Sequence, residues 1–387
     1  MKTTQRAPHY FRSTLLTAWT ISTCMTACAL AWAQASEPRM NAITEQMKSF
    51  VDHSELAGAV TLVAKNGKIV HLDAVGFEDI DGKRPMTTDT MFAIMSMTKP
   101  IASVAALILC DEGKLQLDEP IAKHLPEFSE GNRKKITLRH LLSHTSGLGG
   151  NQQNEGTLAD SSRAFAKRPL GYEPGTKWAY SPGISVAGRL VEVASGQPFD
   201  QILTERIFKP LGMNQTTFYM NEAQEQRLAK IYKRSGEDKP LEEVENKFLG
   251  PKETRTPNPS GGLFSTARDL ERFWQMLLNG GELDGVRILS KEMVREMTTP
   301  QTRDLKAGFV PGSKWGLGVG IVSEPTGVTA MLSPGTFGHG GAYGTQVWAD
   351  PKTKTIYLLL IQRVGILNSD ASPYRQAFQE AATKALE

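Results

Sequence analysis

Residues 92–110 read FAIMSMTKPIASVAALILC, a short apolar run that passes into a long Ala-rich helical pattern. A helix accepts Pro100 within its first turn, and Gly113 is placed to end it, so we predict a helix that begins near Ser96. The tetrad Ser96-Met97-Thr98-Lys99 then brings a hydroxyl and an amine onto one helix face. About one Ser-x-x-Lys is expected by chance in a chain of this length, so the tetrad alone is also compatible with an exposed helix start. It is the only one in this sequence, and it lies where a strand-like segment meets an apolar helix.

The two ends of the chain predict a sheet. Strand-like runs at 59–64 and 69–75 flank Asn66-Gly67, a pair that favours a tight hairpin turn. Further strands are predicted at 316–322, 345–349 and 355–362. Helical spacing from Met40 to Val51 and a helix from Pro373 onward complete the pattern. The fold class is therefore α/β, an antiparallel sheet flanked by helices.

The middle of the chain predicts an inserted, mainly helical lobe. Its expected helices cover residues 138–143, 184–194, 267–278 and 291–298. The Glu- and Lys-rich segment 221–256 is expected to form exposed connections. After a leader at 1–35, one domain spans 36–387, with the sheet lobe at about 36–95 and 310–387 and the helical lobe at about 96–309.

The first 35 residues are typical of a secretory signal. Lys2, Arg6 and Arg12 precede an apolar stretch, which ends in small residues around Ala33. We therefore expect a periplasmic or secreted protein; lipid attachment at Cys28 is the minor alternative. Cleavage would remove three basic and no acidic residues, leaving 41 of each. That balance predicts no nucleic-acid partner and no membrane binding beyond the signal.

Two further segments carry candidate functional groups. Tyr180-Ser181-Pro182 follows a turn at Pro174-Gly175 and precedes a helix, a loop that can direct a phenol into a cleft. His339-Gly340-Gly341-Ala342 precedes a strand, and its glycines permit close approach to the backbone. Taken singly, Tyr180 would be a packing aromatic and His339 a turn residue.

Together, and in this order, these motifs resemble the class C β-lactamase-like family of serine hydrolases, which includes β-lactamases, D-Ala-D-Ala carboxypeptidases, D-aminopeptidases and related esterases. The resemblance covers nearly all of the chain after the leader. It includes the segments 92–99, 141–148 (LLSHTSGL), 174–182 and 260–269 (SGGLFSTARD). The fold it implies is that of β-lactamases and penicillin-binding proteins.

By this resemblance Ser96 is the nucleophile, and Lys99 and Tyr180 are the general-base pair. The backbone N–H groups of Ser96 and Ala342 would form the oxyanion hole, while His339, Gly340, Gly341 and Pro182 would face the substrate. Free lysine and tyrosine have pKa values of about 10.4 and 10, so one of them must be shifted to act as a base at neutral pH. The sequence leaves open which of the two acts first.

Two departures from the β-lactamase pattern affect the expected substrate. His339-Gly340-Gly341 stands where those enzymes usually have Lys-Thr-Gly, and Pro182 stands where the Tyr loop usually ends in Asn. A carboxylate anchor and an amide contact are thus expected to be missing. We predict a small ester as substrate, with β-lactams or D-peptides as the alternative, and neither cofactor nor metal.

The sequence fits other functions less well. The sequence contains no Gly-x-Ser-x-Gly motif, which argues against the nucleophile of an α/β-hydrolase. His140 and His144 have the spacing of a zinc pair, but no Glu base lies between them, which favours a structural role. Gly316 to Gly320 lacks the helix of a nucleotide-binding loop. A catalytically silent penicillin-binding-like sensor is the alternative outside enzymes, and the intact Ser96, Lys99 and Tyr180 argue against it.

Overall fold

The structure is a computed structural model that describes residues 1–4, 39–150, 156–236, 238–246, 255–366 and 368–387. The strands are β1 (Gly58–Lys65), β2 (Lys68–Asp79), β3 (Arg84–Pro85), β4 (Phe92–Ala93), β5 (Ile231–Arg234), β6 (Leu241–Val244), β7 (Phe264–Ser265), β8 (Glu282–Leu283), β9 (Val286–Arg287), β10 (Ser313–Trp315), β11 (Gly320–Val322), β12 (Phe337–Gly340), β13 (Gln346–Asp350), β14 (Thr355–Leu360) and β15 (Arg363–Val364).

The helices are α1 (39–52), α2 (Thr98–Asp111), α3 (Leu138–Leu142), α4 (Leu158–Lys167), α5 (Gly183–Ser195), α6 (Phe199–Leu203), α7 (Lys209–Leu211), α8 (Glu222–Glu225), α9 (Ala267–Leu278), α10 (Lys291–Thr298) and α11 (Pro373–Leu386). Within the described ranges, no helix is long and apolar enough to cross a bilayer. The predicted leader lies outside the described residues, apart from its first four positions.

Both ends of the chain contribute to one antiparallel sheet, with the strand order β10-β11-β12-β13-β14-β1-β2-β3. The two ends meet where β1 pairs with β14, with Val60 opposite Leu360 and Lys65 opposite Thr355. This arrangement confirms the predicted fold class. It also places β12, which carries His339, inside the sheet between β11 and β13.

Helices cover both faces of the central strands. On β1, Val60 and Leu62 belong to a hydrophobic core that includes residues of α2 and α9, whereas Ala59 and Val63 belong to a second core with residues of α1 and α11. Alternate side chains point to opposite faces of a strand, so a strand covered on both faces needs apolar residues at nearly every position. This explains why β1 and β14 consist of almost continuous apolar runs.

The predicted hairpin turn is confirmed. Asn66 and Gly67 connect β1 to β2 with φ angles of 53° and 75°. Two successive positive φ angles are what a two-residue turn needs to match the twist of its strands. The conformation of Asn66 and Gly67 therefore sets the pairing of β1 with β2 at the turn, where Lys65 lies opposite Lys68.

The strand predicted at 316–322 is wrong in its first half. Residues 316–319 form a tight connection between β10 and β11 instead. The N–H of Gly318, at a φ of 78°, donates to Leu142 O at 2.8 Å, and the N–H of Leu317 donates to Met297 O at 3.0 Å. These backbone groups bond to the helical lobe rather than to a neighbouring strand, a tertiary contact that alternation in the sequence cannot reveal.

The segment predicted as exposed connections is also more ordered than expected. Within its described residues it contains α8 and the strands β5 and β6, and β5 pairs in parallel with β15. Ile231 and Tyr232 are buried there. The polar composition of the segment concealed a small sheet, in which Ile231 is buried and Val244 and Val364 pack against the same hydrophobic cluster.

We predict that Gly318→Ala destabilises the protein far more than Gly67→Ala. Both positions have a positive φ, which costs about 1 kcal/mol for a residue with a Cβ. A Cβ at Gly67 would meet nothing within 4 Å, whereas at Gly318 it would lie 2.0 Å from Ser103 Oγ. Because of this overlap, Gly318→Ala should lower the free energy of unfolding by about 3 kcal/mol. Urea unfolding of both variants measures this, and equal losses would contradict the packing described here.

Candidate active site

Ser96 lies on a 3-10 turn, Met95–Met97, directly before α2 rather than inside it. Among residues 91–100 it alone is not buried. The preceding residue, Met95, has a φ of 50°, a left-handed conformation that costs free energy for a side chain of this size. The surrounding structure thus holds a strained turn that leaves one hydroxyl accessible.

Lys99 follows one turn later, and its amine is removed from solvent. Nζ donates to Ser260 O at 2.6 Å and lies 3.2 Å from Ser96 Oγ, while the side chain is 0% exposed. No carboxylate of the described residues forms an ion pair with it. Burial without a counter-charge disfavours the ammonium form and lowers the pKa of Lys99 to about 7.

Tyr180 reaches the same point from the loop before α5. Its ring centroid lies 4.7 Å from Lys99 Nζ, and its hydroxyl forms a hydrogen bond with Ser96. Burial raises the pKa of Tyr180 well above its usual value, and the hydrogen bond to Ser96 offsets this only in part. The phenol therefore remains protonated at neutral pH. Of the two candidate bases, Lys99 is the one whose pKa moves toward neutrality.

His339, at 2% exposed, faces this group from the end of β12. Its Nδ1 lies 2.6 Å from Gly340 O, an acceptor, so Nδ1 carries the proton and Nε2 is free to accept. Nε2 lies 3.5 Å from the hydroxyl of Tyr180. Burial, together with the positive charge of nearby Lys99, lowers the pKa of His339 to about 3. The imidazole is neutral and cannot replace a lysine as a cationic anchor.

The two glycines after His339 both lie where a side chain would overlap a neighbouring segment. A Cβ at Gly341 would lie 2.6 Å from Ile94 O, and a Cβ at Gly340 would lie 2.0 Å from Asp370 Oδ1. Ala342 comes next and is exposed. Gly341 therefore lets the segment before Ala342 approach the turn that carries Ser96, while Gly340 leaves room for Asp370.

Pro182 plays no polar part in this arrangement. It is buried at the start of α5, and its carbonyl accepts the N–H of Ser185 at 2.9 Å. A proline has no N–H and no polar side chain, so it offers a substrate no replacement for an amide contact.

The sequence did not predict the aromatic surroundings of Tyr180. Its ring lies 4.9 Å from Phe309 and 5.9 Å from Trp315, between ring centroids. Phe309 belongs to the segment before β10, and Trp315 ends that strand. Aromatic residues at these positions were visible in the sequence, but nothing in their spacing pointed to Tyr180.

The two histidines considered as a zinc pair are in different environments. His140 belongs to the cap of α3, where Thr137 N–H donates to its Nδ1 at 3.3 Å. His144 is buried beside Tyr180, with 4.4 Å between ring centroids. In the described part of the chain, no group of three or more His, Cys, Asp or Glu side chains could hold a metal ion.

Comparisons with known proteins show the family to which the whole sequence is similar. The family model described as Beta-lactamase matches residues 42–382. Protein Rv1367c of Mycobacterium tuberculosis is 36% identical over 367 residues, covering 84% of this chain and 90% of that protein. Esterase EstB of Burkholderia gladioli is 30% identical over 364 residues, covering 83% and 89%. The solved structure of EstCE1, described as a hydrolase with promiscuous acyltransferase activity, aligns with a TM-score of 0.79 at 22% identity, covering 90% of this chain and 99% of that one.

We predict that Lys99→Met stabilises the fold, and more at pH 6 than at pH 9. The folded pKa of about 7 lies below the unfolded value of about 10.4, so the unfolded chain binds the extra proton between these values. The resulting penalty is largest below pH 7 and fades as the pH rises toward 10. The gain from Lys99→Met should therefore shrink by about 3 kcal/mol from pH 6 to pH 9.

Urea unfolding at the two pH values measures this gain. Lys134→Met, at an exposed lysine, is the matched control and should change stability equally at both. A gain for Lys99→Met that does not depend on pH would contradict a desolvated amine at position 99.

Proposed function

The chain belongs to the beta-lactamase family, and on this premise we propose that it is a serine hydrolase that cleaves small carboxylic esters through an acyl-enzyme on Ser96. The observation that carries the proposal is the buried amine of Lys99, 3.2 Å from the accessible hydroxyl of Ser96. A serine hydroxyl becomes a useful nucleophile when an adjacent base takes its proton. A lysine with a pKa near 7 is such a base at neutral pH.

Lys99 acts first in the proposed mechanism. The Oγ–H proton of Ser96 passes to the neutral amine as Oγ attacks the ester carbonyl carbon. The carbonyl π electrons move to oxygen, and the N–H groups of Ser96 and Ala342 stabilise the oxyanion. Fixed backbone donors of this kind contribute several kcal/mol, about 3–4 each, to transition-state stability.

Tyr180 completes the proton transfer. When the tetrahedral intermediate collapses, the bond to the leaving alkoxide breaks and the phenol of Tyr180 donates a proton to that oxygen. Lys99 then returns the proton it took from Ser96, which restores Tyr180 and the neutral amine. For deacylation, water attacks the acyl carbon, its proton passes to the Tyr180 and Lys99 pair, and Ser96 Oγ recovers a proton as it leaves.

The neutral imidazole of His339 supports esters over β-lactams as substrates. A β-lactam carries a carboxylate that a cationic strand residue can hold, and an amide side chain that an asparagine can contact. His339 has no charge to offer, and Pro182 has no amide. An ester needs neither contact and has a better leaving group than an amide. The relative named Esterase EstB supports the same chemistry.

Export is part of the proposal. The charge order and small residues of positions 1–35 support a cleaved leader, and thus a periplasmic or secreted enzyme with a small-molecule substrate. Beyond the leader, Cys110 is the one cysteine in the sequence, so the mature chain has no internal disulfide to form. Burial raises the pKa of Cys110 to about 12, which leaves the thiol unreactive.

Ser96→Ala should lower kcat for a short-chain p-nitrophenyl ester by at least about 10³-fold, because no other group at this point can form the acyl-enzyme. Intact-mass measurement after brief exposure to activated esters should show one acyl group on the wild type and none on the variant. Ser103→Ala, on the same helix but outside this group, should stay within a few-fold of the wild type. If Ser96→Ala keeps more than a thousandth of the activity, another residue is the nucleophile.

The substrate preference is tested by comparing kcat/KM for that ester with kcat/KM for a chromogenic cephalosporin and for a D-Ala-D-Ala peptide. We expect the ester to be preferred by at least about 10²-fold, a difference of about 3 kcal/mol in transition-state binding. A clear preference for the cephalosporin would make the chain a β-lactamase. Acylation by the cephalosporin without turnover of any substrate would instead support the silent sensor.

A further inference from the structure

His144 is held in an unusual position between α3 and the Tyr180 loop. It has a left-handed φ of 57°, and the residue is 0% exposed. A buried histidine in this conformation destabilises the fold in two ways, through backbone strain and through the removal of its ring nitrogens from water. Contacts elsewhere must compensate for both losses.

Those contacts are made to the loop on both sides of Tyr180. The N–H of Ala179 donates to His144 O at 3.0 Å, and the N–H of Ser181 donates to His144 Nδ1 at 3.2 Å. Tyr172 Oη also donates to His144 O, at 3.3 Å. The residues before and after Tyr180 are thus both tied to one histidine.

The ring of His144 also packs on Tyr180 itself, with centroids 4.4 Å apart and planes inclined at 43°. Because Lys99 Nζ lies 4.7 Å from the same phenol centroid, His144 contacts the ring that connects Lys99 with Ser96. A shift of this ring by 1 Å is enough to lower a rate by about 10²-fold.

The ring carries its proton on Nε2. Nδ1 accepts from Ser181 N–H, and burial, followed by the positive charge of Lys99, lowers the pKa of His144 well below its usual value. Among the described residues Nε2 has no hydrogen-bond partner. The neighbouring rings are Trp178 and Trp315, with centroids 6.5 and 5.4 Å away. Nδ1 also lies 3.3 Å from Ser181 Oγ, so the polar contacts of this side chain in the described residues both go to Ser181.

We propose that His144 is the positioning residue for Tyr180, fixing the phenol against Ser96 through the Nδ1 bond to Ser181 and through ring contact. This inference rests on the proposed function, in which Tyr180 transfers the proton to the leaving group. It assigns a role to the LLSHTSGL segment beyond α3 packing: the histidine there acts on catalysis through another side chain.

The test is a double-mutant cycle with Tyr180→Phe. We expect His144→Leu to lower kcat by 10- to 100-fold with KM within about threefold. In the Tyr180→Phe background, His144→Leu should lower kcat by less than about threefold. A ring without a hydroxyl transfers no proton, so its position then has little effect on the rate. His140→Leu, at the other histidine of the segment, is the control, and its effect should be the same in both backgrounds. The burst of p-nitrophenol measures the active fraction of each variant.

A comparison of two amides tests the bond itself. In His144→Asn, Oδ1 takes the place of Nδ1 and the residue tolerates a left-handed φ, so kcat should stay within about fivefold of the wild type. In His144→Gln the amide lies one bond further out, and kcat should fall as in His144→Leu. This pair needs neither a stable His144→Leu variant nor residual activity in Tyr180→Phe.

Two results would overturn the positioning role. One is a double mutant in which the separate effects of His144→Leu and Tyr180→Phe on kcat multiply. The other is a His144→Asn variant whose kcat is no higher than that of His144→Gln. Failure of the proposed function has a different signature. In that case Ser96→Ala keeps its activity, whereas here Ser96→Ala is inactive and only the His144 results differ from expectation.

Discussion

The Lys99 amine is out of water, and its two hydrogen-bond partners are a carbonyl and a hydroxyl. Ser260 O takes one N–H, which leaves the lone pair of the neutral amine available to the hydroxyl of Ser96. That carbonyl is itself held in place, because Ser260 N–H donates to Asn258 Oδ1 at 2.9 Å and Ser260 Oγ lies 2.9 Å from Ser185 Oγ. The proposed base therefore depends on a loop about 160 residues away in sequence and on the start of α5.

The desolvation of Lys99 extends to its neighbours. Tyr180, His144 and His339 all lie near the amine. Burial raises the pKa of Tyr180 and lowers the pKa of both histidines, so each side chain is held in its neutral form. A group of neutral side chains in a dry site leaves the backbone donors as the main source of stabilisation for a developing oxyanion. Such a site offers little to a substrate that binds through its own charge.

The sequence predicted those parts of the structure that depend on nearby residues. The hairpin at Asn66-Gly67 follows from two backbone angles, and the limits of α9 and α10 follow from local periodicity. The proximity of Ser96 and Lys99 follows from i, i+3 spacing. Tyr180 and His339 could be placed at the same point only through resemblance to a family, because no local pattern joins residues separated by 159 positions.

What the sequence did not predict depends on contacts between distant segments. The turn at 316–319 exists because Gly318 bonds to α3, and Ser260 acts through a backbone carbonyl that every residue carries. Spacing in the sequence pairs His144 with His140, whereas in the structure the His144 ring packs on Tyr180. Which pKa would shift was likewise open, since burial is a property of the assembled fold.

The close approach at Gly340 constrains how this protein could evolve toward other substrates. Related β-lactamases usually carry Lys-Thr-Gly here, yet any side chain at position 340 would overlap Asp370 Oδ1, which is held by Gln346 Nε2 at 3.2 Å. A threonine at this position would have to displace a buried carboxyl group. Packing thus couples positions 340 and 370: a side chain at the first can be accommodated only when the side chain at the second moves or is replaced.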